Sequence, residues 1–222
     1  MASNISKRID NDPAFERTRE NMAEFERAAN AGKLLNDSFR VLSGRSGDRK
    51  LTQRLSAKMY KVLKEDKVND RGMRTVAEGN LQLLRGFEFN NIGKLSTVLF
   101  TPYTASIDRV AGTLNISIPD FVPQTVMKAP QGTTHFAIVS AASELDFANG
   151  LQNGVNTETA PLVYGSQTEP AITLNNALTA NSTRPLFLAL GVKYFQETNG
   201  KYYPLNTGRF NPLSIVQVDV AA

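Results

Sequence analysis

Residues Gly86 to Phe100, GFEFNNIGKLSTVLF, divide the chain into two kinds of sequence. Before them the chain is charged and helical in period, with Pro13 its only proline; nine of the ten prolines lie after residue 100. After them β-branched and aromatic residues alternate with polar ones, and Gly and Pro recur at short intervals. Charge divides at the same place. Residues 1–94 hold 19 Lys and Arg against 13 Asp and Glu, whereas residues 95–222 hold 6 against 8. The spacing predicts an α+β chain: an N-terminal antiparallel helical region over 1–92, followed by an immunoglobulin-like antiparallel β-sandwich over 93–222.

Within the first half, Asn11-Asp12-Pro13 reads as a helix start, an Asx N-cap with proline at the first helical position. Phe15, Met22, Phe25 and Ala29 then recur on one side, with Glu16, Glu20, Glu24, Arg17 and Arg27 on the others. Gly32 reads as the stop of this helix. A second helix is expected over Lys33 to Leu42, carrying Leu34, Leu35, Phe39 and Leu42. The run 50–64, KLTQRLSAKMYKVLK, is the clearest amphipathic segment. Leu51, Leu55, Met59, Val62 and Leu63 share one face; Lys50, Arg54, Lys58, Lys61 and Lys64 share another, with no acidic residue on the same helix. A fourth helix is expected over Asp70 to Leu84, weakened by Gly72 and Gly79.

In the second half, Tyr103, Ala105 and Ile107 alternate with polar residues. Leu114, Ile116 and Ile118 do the same after a turn at Arg109–Gly112, predicting a hairpin with one buried face. Further strands are expected over Thr134–Ser140, Ala171–Leu174, Leu186–Glu197, Lys201–Leu205 and Leu213–Val220, with Asn199-Gly200 as a two-residue hairpin turn. Residues 149–168 read as a long surface excursion pinned by Leu162-Val163-Tyr164.

Chemistry-bearing patterns are few. Arg85-Gly86-Phe87-Glu88-Phe89 resembles part of the RNP1 strand of RNA-recognition modules, whose aromatics stack bases. Glu88, Asn90 and Ile92 break the pattern, and the upstream chain lacks the strand that fold requires. Gly44-Arg45-Ser46-Gly47, between two helices, resembles the backbone-clamping loop of KH domains, but the sheet around those helices is missing. The one histidine, His135, reads as a half-exposed strand residue. No cysteine is present, so thiolate metal sites and disulfides are excluded. Glu144, Asp146 and Asn149 suggest a calcium ligand set, yet Phe147 and Ala148 break the EF-hand spacing. Tyr194-Phe195 and Tyr202-Tyr203 form an aromatic cluster suited to a sugar, a partner or ordinary cross-strand stability. No nucleophile-elbow, Walker A or dinucleotide-binding pattern occurs.

The runs GKLSTVLFTPYTASIDRVAGTLNISIPDFVP (Gly93–Pro123), PAFERTRENMAEFERAANAGKLL (ending at Leu35) and ANSTRPLFLALG near Ala180 together resemble a group of uncharacterised proteins from Bacteroidota-type bacteria or their phages. The resemblance implies such an origin and carries over no activity, cofactor or site residue.

The functional expectation is a non-enzymatic structural or assembly protein. It would self-associate, or dock a protein partner, through Phe15, Met22, Phe25 and Phe39 of its helical region and present the sandwich. The alternative is nucleic-acid binding through Lys50, Arg54, Lys58, Lys61 and Lys64; a carbohydrate- or calcium-binding sandwich stands behind both. No cofactor or metal is expected. The first residues lack the apolar core of a signal peptide and no window is apolar enough to span a membrane, so a cytoplasmic protein, or part of a particle assembled there, is expected.

Overall fold

The computed structural model describes residues 4–44, 48–205 and 210–221. Helices come first: α1 (Asn4–Asn11), α2 (Glu16–Ser38), α3 (Arg40–Ser43) and α4 (Leu51–Lys64), with the one-turn helices α5 (Leu95–Val98) and α6 (Pro123–Val126) later. Asp12 caps as expected, its carboxylate accepting the Ala14 N–H at 2.9 Å ahead of a 3-10 turn at Pro13–Phe15.

Gly32 does not end a helix; α2 runs through it to Ser38. The reason is packing. Glu24, Ala28, Ala31, Gly32 and Leu35 form the buried stripe of α2 against α4, and a Cβ on Gly32 would lie 3.4 Å from the Ser56 nitrogen. Small residues let the two helix backbones approach. The expected helix over Asp70–Leu84 is also corrected. Residues 65–80 are irregular, and only Leu81–Leu84 forms a 3-10 turn, capped by Asn80. Gly72 sits at φ +87°, outside helical backbone, and a Cβ on Gly79 would meet the Val62 carbonyl oxygen at 2.2 Å. Asp66 organises this loop by accepting N–H bonds from Val68, Asn69 and Thr75.

Nine strands follow among the described residues: β1 (Thr104–Asp108), β2 (Thr113–Ile118), β3 (His135–Asp146), β4 (Leu151–Glu158), β5 (Leu162–Val163), β6 (Ile172–Ala177), β7 (Leu186–Thr198), β8 (Lys201–Pro204) and β9 (Leu213–Asp219). All pairs are antiparallel. One sheet runs β1-β2-β6; the other runs β4-β3-β7-β8, with β5 on β3 and β9 on β7. The expected excursion over 149–168 is therefore corrected, since β4 occupies most of its first half. At the Asn199-Gly200 turn both residues have positive φ, 53° and 74°, as a tight hairpin requires.

The centre of the larger sheet, β3 and most of β7, is buried on both faces. Phe136, Ile138 and Ala142 of β3, with Leu186, Leu188, Leu190 and Tyr194 of β7, join Leu114, Ile116 and Leu174 of the smaller sheet in one apolar cluster. The alternate residues Val139, Ala141, Leu145, Phe187 and Ala189 join Leu35, Leu55, Met59, Leu63, Leu81 and Leu84 of the helical half in a second. The Gly86–Phe89 stretch lies along β9: Gly86 N–H donates to Ile215 O at 2.7 Å, Ile215 N–H to Phe87 O at 3.0 Å, and Phe89 N–H to Leu213 O at 2.8 Å. Phe87 and Phe89 are buried there.

Candidate functional site

The five cations of α4 do not act alike. Arg54 is committed within the molecule. Its Nη2 lies 2.6 Å from Asp48 Oδ2, its Nη1 donates to Glu88 O at 2.9 Å, and its guanidinium stands 5.2 Å from the Phe87 ring centre. Burial works to raise the Asp48 carboxyl, but the Lys50 N–H, the Arg54 side chain and the Asn91 N–H outweigh it and hold the group below its ordinary range. Lys64 is committed too, 2.5 Å from the Glu24 carboxylate.

Glu24, expected on a solvent face, is fully buried. It accepts from Lys64 and from the Gly72 N–H at 2.9 Å, with Arg74 Nη1 at 3.9 Å. Burial opposes its charge, yet these partners lower its carboxyl below the ordinary value and raise Lys64 above its own. Lys50 and Lys61 are exposed and Lys58 half-buried, and none of the three joins an ion pair among the described residues.

The apolar residues divide as well. Phe39 is buried, its ring 5.4 Å from that of Phe89, so it belongs to the core and not to an exposed interface. Phe15 is half-buried beneath the Arg8 guanidinium, 5.9 Å from its ring centre. Met22 and Phe25 are 59% and 54% exposed. They lie beside the stripe that packs on α4, and with Thr18, Asn21, Glu26 and Tyr60 they line a groove of about 560 Å³. Phe25 meets Tyr60 edge-on at 6.1 Å. Phe15, Met22 and Phe25 share one side at helical spacing, and that side faces outward at Met22 and Phe25. Ala28, Ala31 and Gly32, close-packing residues at helical spacing, were the overlooked sign of the inward face.

Glu144, Asp146 and Asn149 have partners within the molecule. Glu144 and Asp146 both reach Arg184, at 3.7 and 3.3 Å. Asp146 also accepts from the Ala148 and Asn149 N–H groups and from the Asn149 amide, closing the β3–β4 turn. Among the described residues no group of three or more His, Asp or Glu side chains is placed to hold a metal. Phe87 and Phe89, the aromatics of the RNP1-like stretch, are buried and unavailable to bases. Arg45–Gly47 of the KH-like loop lie outside the described residues.

His135 is half-buried and meets Tyr202 edge-on at 4.9 Å, while Tyr194 is buried and donates its hydroxyl to Lys128 O at 2.8 Å. A second hollow of about 540 Å³ lies between α2, the 69–78 loop and the β3–β4 turn, walled by Leu34, Val76 and Phe147 with Arg27 and Glu78. No helix among the described residues is long and apolar enough to cross a membrane. Comparisons with protein families, with curated proteins and with solved structures give no match for this chain.

Proposed function

We propose that the protein is a non-enzymatic assembly component that associates with a second copy of itself through the outer face of α2. The observation that carries this reading is the exposure of Met22 and Phe25 side by side on a helix whose other face is already packed. The face is self-complementary. Two copies of α2 crossing antiparallel about a two-fold axis set Met22 against the mate's Phe25, with Glu26 near Asn21, so no like charges meet. The two sheets sharing one apolar layer support a sandwich as the part left outward, and an immunoglobulin-like kinship of that sandwich belongs to the same proposal.

Magnitudes limit the contact. Completing the burial of half-exposed Met and Phe side chains contributes about 1 kcal/mol each, and association alone costs about 4 kcal/mol or more. This face by itself therefore supports only concentration-dependent association. Sedimentation from micromolar to near-millimolar protein tests it. Association that weakens for Phe25→Asp, with the fold retained, is expected; identical sedimentation of the two proteins overturns the reading.

A second reading, nucleic-acid binding, is favoured by one observation: Lys50, Lys58 and Lys61 lack carboxylate partners among the described residues. With Arg54 and Lys64 engaged, three phosphate contacts are the most this arc offers, for a slope of log affinity on log salt of about −3 on duplex DNA. A salt-independent affinity for duplex DNA excludes it.

A further inference from the structure

The sheet edges are unequal in a way that points to a second contact. Strand edges expose unpaired N–H and C=O groups, and proteins blunt them with short strands, lysine, proline or covering groups. The β8 edge is four residues long and contains Lys201 and Pro204. Along Gly86–Phe89, Arg54 holds the Glu88 and Phe89 carbonyls. On β6, the Asn175 carbonyl accepts from the Thr157 hydroxyl at 3.0 Å. In the smaller sheet β1 is five residues long, and its Ala105, with Tyr103 just before it, lines a hollow with Ser214–Val216 of β9.

β4 lacks these devices along its edge, although the end of α2 touches its face at Gly154, where a Cβ would stand 3.1 Å from the Ser38 carbonyl oxygen. It is eight residues, LQNGVNTE, without lysine or proline, at the end of the larger sheet. Leu151 to Gly154, Asn156 and Glu158 are exposed. Thr159 N–H donates to Ile138 O at 3.1 Å in register with the β3–β4 ladder, so the alternation of an antiparallel pair turns the backbone groups of Gln152, Gly154, Asn156 and Glu158 outward. Among the described residues none of these outward groups has a backbone partner.

We infer that β4 pairs antiparallel with the β4 of a second copy, continuing the larger sheet across a two-fold axis at Val155. In this register Gln152 lies opposite the second copy's Glu158 and Gly154 opposite its Asn156, so every outward residue meets another. Residues opposite one another also share a sheet face, as the pleat demands. The strand is its own complement: its one charge, Glu158, already joined to Lys193, faces a neutral amide. Its one exposed bulky apolar residue, Leu151, stands outside the paired span 152–158, and within that span each outward residue meets its match, which makes a second copy the fitting occupant. The contact is separate from the α2 face, and either can fail without the other.

Sedimentation of the full chain over a concentration series tests it, with Phe25→Asp as the background that removes the α2 contact. That background protein is expected to dimerise still. Asn156→Pro removes an outward N–H and leaves the β3 ladder intact; it should raise the dimer Kd at least tenfold. Gln152→Glu, which sets like charges opposite one another, should raise Kd about threefold, whereas Gln152→Lys should leave it unchanged or lower it. Amide exchange at 152, 154, 156 and 158 should slow with concentration in step with the dimer. A Phe25→Asp protein that stays monomeric throughout overturns the proposal. So does equal weakening by Gln152→Lys and Gln152→Glu, which also decides the matter if Asn156→Pro fails to fold. Persistence of the dimer in Phe25→Asp together with wild-type sedimentation at every concentration instead removes the α2 reading alone.

Discussion

Asp66 shows how one side chain can replace a helix. It is 2% exposed, and burial pushes its carboxyl upward, but bonds from the Asn69 amide and the Thr75, Asn69 and Val68 N–H groups prevail and hold it at about 2 against an ordinary 3.8. A carboxyl lowered by folding stabilises the folded form above its unfolded value, and that contribution disappears as pH falls through the folded one. Roughly 2 kcal/mol should therefore be lost between about pH 4 and pH 2. Asp66→Ala should lose it at neutral pH, with a flatter stability profile across that window in denaturant titrations. At Arg54 the same reasoning separates structure from binding. Arg54→Ala removes the guanidinium from the Glu88 and Phe89 carbonyls and one of several partners from Asp48, and should cost about 3 kcal/mol. Lys61→Ala should stay within about 0.5 kcal/mol. Equal effects in urea unfolding would contradict these assignments. The arc of cations was legible from periodicity; their partners were not, because Glu24 and Asp48 lie outside α4 and nothing local announces them.

At the level of elements, strands were easier to read than helices. The hairpin β1–β2, the long β7 and the Asn199-Gly200 turn combine alternation with turn residues that admit positive φ, and these local signals agree with the fold. β4 is hard to read because LQNGVNTE holds only two apolar residues, Leu151 and Val155, four positions apart, so it lacks the regular alternation that marks a half-buried strand. The helix expected over 70–84 fails because the bonds to Asp66 and the positive φ of Gly72 offer the backbone another set of partners. In α2 the large apolar residues drew attention from the small ones that make the contact. Ala28→Leu should therefore overpack the α2–α4 seam and cost about 2 kcal/mol, while Phe25→Ala should change the melting temperature by less than about 2 °C. Calorimetry on the two variants checks the assignment of faces.

Across the whole molecule the larger sheet is the middle of three layers, with helices on one side and the smaller sheet on the other. β3 and β7 are accordingly buried almost without interruption, as strands covered on both faces must be. Their amides should exchange only through global opening, whereas the outward amides of β4 in the dilute monomer, and those of β8, should exchange orders of magnitude faster. Native-state hydrogen exchange measured by NMR would show the ranking, and a fast-exchanging β7 centre would contradict it. The change of sequence character near Gly86 marked the passage from helices to sheets. It did not reveal that residues just beyond the helices are paired with a strand near position 215, since such a pairing leaves no local trace.

That pairing sets a delay in the life of each newly made chain. Phe87, Phe89, Leu81 and Leu84 find much of their cover in Leu213, Ile215 and Val218. At about 5–20 residues per second, the ribosome takes roughly 6 to 25 s to travel from residue 87 to residue 213. For that interval the emerging helices carry an unfinished apolar surface. Slower translation between residues 87 and 213 should lengthen that exposure and lower the share of chains that reach the native form, which pulse-chase measurement of the folded fraction would show.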